Sequence, residues 1–506
     1  MAQSSAAIPQ QPAPTATMPA EEQEPASAFS LRGALRLLVA TGSGRAGLTL
    51  FLILVALSAY VLITYPRDFG RSRWSSPLYW ADNPSAAPPV WTTWLGKEAV
   101  RHQRFTLTEP ESVTQRGAAE VRDFRVTIDH TTSEPPEFVS VTLSGITFHS
   151  RAPVVVISLI RPDKPDAPVR LANVAVQGPR AGESEPYRRY YDSPLRINLT
   201  QQDTASDALA QFFQQQYPDL TPPATLDQSL VDALFGRPAA DGSGRIEPLT
   251  GEYTISVQAL VADTEDEIAP MTVVYGGTVY GWMGTDSLGR DIWQGLLYGF
   301  PVALLIATLA SLASTIIGAS LGILSGYAGG VTDTVIQRLA DIVSNVPVLP
   351  LLIFLVFVLG SHLYLILLVL VAFSWPGLTI LVRSMVLQIR SGQLVEAARA
   401  LGASKTRIMF RHVFPQVAPF IVAQMIFFAP GAILAEASLS FLGLGDPSIP
   451  TWGQMLEAGF RTGALYVGYW WWVIPPGMMI IITAMAFMLL ALGMESVVDP
   501  RLRNVS

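Results

Sequence analysis

The chain of 506 residues contains no cysteine, which excludes disulfides and thiolate metal sites. Charged residues make up only 14% of it, its net charge is −7, and its Lys and Arg residues form no dense block suited to nucleic acid. The histidines, His102, His130, His149, His362 and His412, show no ligand spacing. No Gly-x-x-x-x-Gly-Lys-Ser/Thr phosphate loop occurs. The run Gly402-Ala403-Ser404-Lys405-Thr406 lacks the second glycine before its lysine, so ATP hydrolysis has no seat in this chain.

What is abundant is apolar sequence. Half of the residues are hydrophobic and mean hydropathy is positive, which points to a membrane protein. Six apolar stretches reach or approach the ~20 helical residues a bilayer crossing needs. They lie at about 47–65, 300–324, 346–360, 363–385, 417–441 and 470–494. The first is too long and too far from the N-terminus for a cleaved signal peptide and reads as an uncleaved anchor. The third is short and proline-rich at its start, so it is expected either to tilt little or to extend back towards Asp341.

Arg32, Arg36 and Arg45 precede the first span; Arg390, Arg399, Lys405, Arg407 and Arg411 separate the fourth and fifth; Arg501 and Arg503 follow the sixth. Alternation of six spans puts all three clusters on one side, the cytoplasm by the positive-inside rule, with both termini there. Residues 1–30 are rich in Ala, Pro, Ser and Gln and are expected to be a disordered cytoplasmic tail. Residues 31–66 hold a juxtamembrane segment, either a basic interfacial helix or a flexible stop signal, and the first span.

Residues 67–281 form a polar insertion long enough for one soluble domain. The runs Phe124–Ile128, Phe138–Leu143, Val154–Ile160, Arg170–Val176, Tyr253–Leu260 and Met271–Tyr280 have strand character. Asp203–Tyr217 and Leu226–Leu234 look helical. A β-sandwich-like domain with a small helical excursion is expected, without a nucleophile elbow or zinc-protease motif that would make it catalytic. Residues 282–506 then carry the remaining spans, so the fold class is an all-α polytopic membrane protein with an inserted mainly-β domain.

Several motifs stand out. Between two spans, at 390–415, lies a charged helix–glycine–helix unit: Gln393–Leu401 has good helix formers, with Leu394, Val395, Ala398 and Leu401 near one face. Gly402 suits the left-handed end of that helix, Ser404 can cap the next, and Pro415 is expected to close it before the fifth span. Ala310, Ser314, Gly318, Gly322 and Gly326 form a four-residue stripe in the second span, which serves either a moving or a static helix contact. Pro376 is expected to kink the fourth span. Glu436 is an acid in the apolar stretch of the fifth, near its outer end, where it either lines a solute path, is a satisfied packing residue or reaches the outer interface.

These motifs resemble those of the dipeptide, oligopeptide and nickel permeases of ABC importers, of the second permease subunit type. Glu396, Ala397, Ala398, Gly402 and Pro415 fall on the spacing of the family's cytoplasmic loop; His412 and Phe414 depart from its usual Ile and Leu. The run Trp282-Met283-Gly284-Thr285-Asp286-Ser287-Leu288-Gly289-Arg290-Asp291 resembles the family's outer segment, and Pro88–Gly96 its interrupted upstream half. Further matches are Leu439–Gly445, Pro450–Gly453 and Asp499–Leu502. The resemblance covers about 281–503.

What the resemblance implies is a six-helix transport subunit, not an enzyme, in the bacterial inner membrane. It implies coupling to the ATPases through Glu396, Ala397, Ala398, Gly402 and Pro415. The outer loop would carry Gly284, Asp286, Gly289, Arg290 and Asp291, with Glu436 on the path. Implied partners are a homologous permease, two ATPase subunits holding ATP and Mg, an extracytoplasmic solute-binding protein and membrane lipid, with no cofactor or metal in this chain. Two alternatives stay open: a receptor or scaffold using the external domain, and a secondary transporter, for which only Glu436 offers a charged coupling group.

Overall fold

A computed structural model describes residues 31–117, 119–219, 230–241 and 243–498. The tail 1–30, the first part of the helix expected at 226–234 and the run Asp499–Leu502 lie outside them.

Helix α1 (Leu31–Ala40) leads directly into α2 (Gly42–Thr64), whose N-terminus is capped by the Thr41 hydroxyl accepting from the Gly44 amide at 3.1 Å. Gly47 has no room for a side chain because α2 crosses the last helix there, against Leu489 and Leu490, and a side chain at Gly493 of that helix would strike Gly44 Cα; at Gly44 itself a side chain would strike the Leu38 carbonyl. Residues Phe69, Trp74 and Trp80, after α2, do not join the inserted domain. They are buried with Ile292, Leu296, Trp452 and Trp472 of the membrane helices. The β fold begins only near residue 100.

Its principal strands are β1 (Gln103–Leu107), β2 (Ser112–Arg116), β3 (Ala119–His130), β4 (Phe138–Leu143), β5 (Val154–Arg161), β6 (Lys164–Ala175), β7 (Leu195–Asn198), β8 (Gly251–Val261) and β9 (Met271–Gly276). They form two antiparallel sheets, ordered β1-β9-β4-β7 and β2-β3-β8-β5-β6. The period-2 pattern is visible in β5, where Val155, Ile157 and Leu159 are buried and their neighbours only partly so. Facing them across the sandwich are Val139, Val141 and Leu143 of β4 and Met271, Val273 and Tyr275 of β9. The strand expected over Met271–Tyr280 stops at Gly276, where a side chain would strike the backbone of Phe138.

The helical excursion is α3 (Asp203–Gln216) and α4 (Leu230–Leu234). Arg161, fully buried at the end of β5, ties both to the sheet. It donates to the carbonyls of Ala233 and Leu234 at 2.9 Å each, pairs with Asp163, and lies over the rings of Phe212 and Phe213. Burial alone would raise the Asp163 carboxyl, but Arg161 and the Tyr217 hydroxyl hold it below its ordinary range.

The membrane part continues with α5 (Ile292–Ala328), α6 (Gly330–Ser344), α7 (Val348–Leu359), α8 (Leu363–Arg390), α9 (Gln393–Ala400), α10 (Lys405–Ile408), a π turn (Met409–Val413), α11 (Phe414–Phe441), α12 (Trp452–Arg461), α13 (Ala464–Val467) and α14 (Trp470–Val498). Among the described residues five helical stretches are long and apolar enough to cross a bilayer: Gly42–Thr64, Ile292–Ala328, Leu363–Arg390, Lys405–Phe441 and Trp470–Met494. The third expected span is not one straight helix. It is the pair α6 and α7, bent by 75° at Asn345–Pro347, where Pro347 supplies no amide and restrains the residue before it.

The small-residue stripe of α5 packs on α8. Side chains added at Gly318, Gly322 or Gly326 would press on the backbone of Trp375, Thr379 or Arg383, and the Thr379 hydroxyl donates to the Gly318 carbonyl at 3.0 Å. Pro376 sits inside α8 without interrupting it.

Candidate functional site

Two constellations lie at opposite ends of the helices. At the end away from the insertion, α9 and α10 form a hairpin between α8 and α11. Gly402 adopts φ +77°, its amide donates to Arg399 O at 3.0 Å and the Ala403 amide to Ala398 O at 3.1 Å, which closes α9 with a left-handed turn. Ser404 caps α10 by accepting from the Arg407 amide.

The expected apolar face of α9 divides in two. Val395 and Ala398 are buried with Val386, Ile408, Val413 and Val417, which fixes the hairpin to the feet of α8 and α11. Leu394 and Leu401 instead stand 57% and 89% exposed, on either side of exposed Ala397 and next to exposed Glu396. An eight-residue helix anchored on one face thus shows an apolar stripe with an acid on the other, a surface shaped to be covered.

Pro415 does not close α10 before the next span. Residues Lys405–Phe441 run as one helical body through the π turn, in which the Phe414 amide reaches back to Met409 O. The wider turn accommodates a residue that has no amide of its own to donate, so the proline is absorbed instead of breaking the helix.

Sequence reasoning missed a polar clamp close by. Arg383 of α8 grips Asp333 of α6 with both carboxylate oxygens at 2.6 Å, and the Ser325 hydroxyl at the end of α5 donates to the same carboxylate. Gln337 completes it by donating to Ser325 Oγ at 3.0 Å. Three helices meet there in a bidentate ion pair. The signal was available, since Arg383 is a lone charge inside the apolar stretch 363–385.

At the other end, the run Gly284–Asp291 is a folded staple. Asp286 accepts from the Leu288 and Arg290 amides at 2.9 Å each and pairs with the Arg290 guanidinium, which lies 4.4 Å from the Trp74 ring centre. Gly289, at φ +73°, faces the carbonyls of Trp80 and Asn83, and Asp291 caps α5 by accepting from the Trp293 amide at 2.9 Å. Gly284 also lies at φ +73°, where a side chain would strike Ala87 O and the Trp471 ring.

The staple is bound to the chain that precedes the insertion. Thr285 Oγ1 accepts from the Ala87 amide at 2.9 Å and donates to Pro84 O at 2.7 Å. The Val90 amide reaches Gly281 O and the Tyr280 amide reaches Pro88 O. The two flanks of the insertion are therefore neighbours.

Glu436 is buried near the end of α11 and accepts from Ser440 Oγ at 2.6 Å, with Thr451 as a further hydrogen-bond partner. The cavity beside it, about 10 Å³, holds no more than about one water. A larger cavity of about 230 Å³ opens above, lined by Arg290, Ser361, Ser440, Gln454, Glu457 and Arg461. Gly445 keeps it open, since a side chain there would strike Ser440 Oγ and Gln454. The matches at 439–445, 450–453 and 284–291 thus converge on one rim.

A family profile described as "Binding-protein-dependent transport system inner membrane component" matches residues 318–504. The dipeptide transport system permease protein DppC of Bacillus subtilis (strain 168) is 35% identical over 260 residues, spanning 51% of this chain and 78% of that protein. The chain belongs to the binding-protein-dependent transport permease family. Two other relatives agree: the oligopeptide transport system permease protein OppC of the same organism (35% identity, 44% of this chain, 72% of that protein) and the glutathione transport system permease protein GsiD of Pectobacterium atrosepticum (35%, 44%, 73%). An inward-facing structure of the MetNI methionine ABC transporter is 20% identical with a TM-score of 0.34, covering 42% of this permease and 97% of that chain, too distant to compare individual helices. The permease is a multi-pass membrane protein, and its match to DppC aligns about half of its length.

Proposed function

We propose that this chain is one of two homologous membrane subunits of an ATP-driven importer of peptides or similar small solutes in a bacterial inner membrane, with both termini cytoplasmic. Two ATPase subunits holding ATP and Mg dock on the hairpin, and a solute-binding protein delivers the solute at the opposite rim. The observation that carries this is the exposed Leu394–Ala397–Leu401 stripe beside Glu396, on a helix seated against α8 and α11 through Val395 and Ala398. The names of the relatives, which handle dipeptides, oligopeptides and glutathione, support the solute class.

In this reading the ATPases close on ATP, carry the hairpin with them, and shift α8 and α11 against α5. Glu396, Ala397, Ala398 and Gly402 make the coupling surface, and Pro415 lies in the helix that transmits its movement. The staple Gly284–Asp291 shapes the rim, and Glu436 borders the path once the rim opens. The insertion contacts the solute-binding protein or caps the rim.

Proteoliposomes holding the chain with its sister permease, ATPases and binding protein test this directly. Uptake of labelled di- and oligopeptides that needs both ATP and the binding protein is expected. An assembled complex showing neither uptake nor peptide-stimulated ATP hydrolysis would overturn it, and is the outcome a receptor or scaffold predicts.

A further inference from the structure

Exposed apolar residues on the β domain are scattered: Val113, Tyr191 and Leu260 stand apart on different elements. At its root they are not. Trp94 is 81% exposed, Leu95 76%, Trp282 68% and Tyr466 87%, with Leu465 and Val467 flanking Tyr466.

The depth of these residues is set by the last span. Trp470 is the first residue of the apolar stretch Trp470–Met494. The Trp91 ring lies 5.5 Å from that of Trp470, and its Nε1 donates to Trp282 O at 2.8 Å. Trp471 Nε1 donates to Thr285 O at 3.2 Å. The short 3₁₀ helix Val90–Leu95, which carries Trp94 and Leu95, is thereby held level with the first turn of a spanning helix. Tyr466 stands on α13, pinned between left-handed Gly463 and Gly468, directly ahead of the same turn.

Tryptophan, tyrosine and leucine beside an exposed lysine, Lys97, is the composition of a surface that sits where acyl chains meet headgroups. Rings with one apolar and one polar edge find both media there. We infer that the root of the insertion is seated in the lipid interface of the insertion-side leaflet through Trp94, Leu95 and Tyr466. The β domain is then held at a fixed height and tilt beside the rim instead of swinging on its flanks. This does not depend on which solute is carried.

Because this chain has no cysteine, a single substitution places a single label in it, the partner subunits being used as cysteine-free variants. Trp94→Cys, Leu95→Cys and Tyr466→Cys, each in the full chain assembled with its sister permease and ATPases, carry a spin label in nanodiscs of phosphatidylethanolamine and phosphatidylglycerol. Val113→Cys on the domain surface is the water-exposed reference. Because the three side chains are exposed, their replacement leaves the core untouched, and three positions guard against one poorly tolerated label. The expected result is a ratio of oxygen to nickel-chelate collision several-fold above that at position 113 for all three. Nickel accessibility equal to the reference overturns the inference, as does shielding from both reagents, which assigns the surface to the sister permease. Water exposure that is lost only when the solute-binding protein is added also overturns it, in favour of a protein-docking surface.

Discussion

Substitution of Gly402 separates backbone geometry from contact more cleanly than any other change in the hairpin. Its φ is +77° and a Cβ built there meets nothing within 4 Å, so a side chain adds strain without a clash. Alanine should cost about 1 kcal/mol and a β-branched residue about 2 kcal/mol, whereas asparagine tolerates this conformation at a few tenths. Helix α9 buries only Val395 and Ala398, so there is little local stability to absorb the strain. The penalty then appears as a smaller fraction of correctly formed hairpin. One kcal/mol is roughly a five-fold change in the hairpin's equilibrium constant and two is about thirty-fold, and these factors are the ceilings on the loss of formed hairpin.

Titration of the ATPase subunits onto the membrane subunits at equal abundance should therefore show docking up to about five-fold weaker for Gly402→Ala, up to about thirty-fold weaker for Gly402→Val, and within about two-fold of the parent for Gly402→Asn. Solute-stimulated ATP hydrolysis should follow the same order. Docking by Gly402→Val that matches the parent, or equal damage from Asn and Val, would refute the reasoning.

Other parts of the molecule carry further expectations. Arg161→Met leaves Asp163 and three carbonyls without their donor and should destabilise the insertion by about 3 kcal/mol, or about 6–12 °C in the melting temperature of the isolated 97–280 segment, read by circular dichroism. His130 is buried and His102 partly so, and loss of solvation pushes His102 down to about 4 and lowers His130 as well, so the folded domain refuses protons the unfolded chain accepts near pH 6.5. These histidines should lower stability as pH drops from about 6.5 towards 4, while Glu137, raised by burial to about 6, acts in the opposite direction; the parent should therefore lose more stability than His102→Gln over that window, and identical profiles for the two contradict the argument. Asp333→Asn or Arg383→Gln alone should reduce uptake more than the two together, because each single change strands a charge; a double mutant worse than both removes the clamp from consideration. Deleting 97–280 and joining Gly96 to Gly281 with a short Gly/Ser linker should leave membrane abundance intact while lowering uptake and binding-protein affinity; unchanged values for both leave the insertion without a role in transport.

Legibility of this molecule from sequence tracked the range of the forces involved. Strands such as Phe138–Leu143 and the helix starting at Asp203 follow from local periodicity and were placed to within a residue or two. The left-handed turn at Gly402 was legible because a single residue decides it. What local pattern could not show was pairing at a distance. Leu394 and Val395 look alike in sequence, and only the feet of α8 and α11 decide which is buried. The π turn depends on a helix continuing through Pro415, which propensity argues against. The Asp333–Arg383 clamp joins residues fifty apart, and the bend between α6 and α7 turns one hydropathy peak into two short helices. Glu436 was visible as an oddity, but its hydroxyl partners come from Ser440 on its own helix and Thr451 beyond it.

The long helix α5 has 37 residues, about 55 Å of continuous rise, against the ~30 Å of a bilayer's apolar core. One tip is Asp291, fastened to the staple and through it to both flanks of the β domain. The other is Ser325, in the grip of Asp333. The β domain and the Asp333–Arg383 clamp are therefore tied to the two ends of a single rod, and Pro301 is the only place along it where a proline leaves a hydrogen bond unmade.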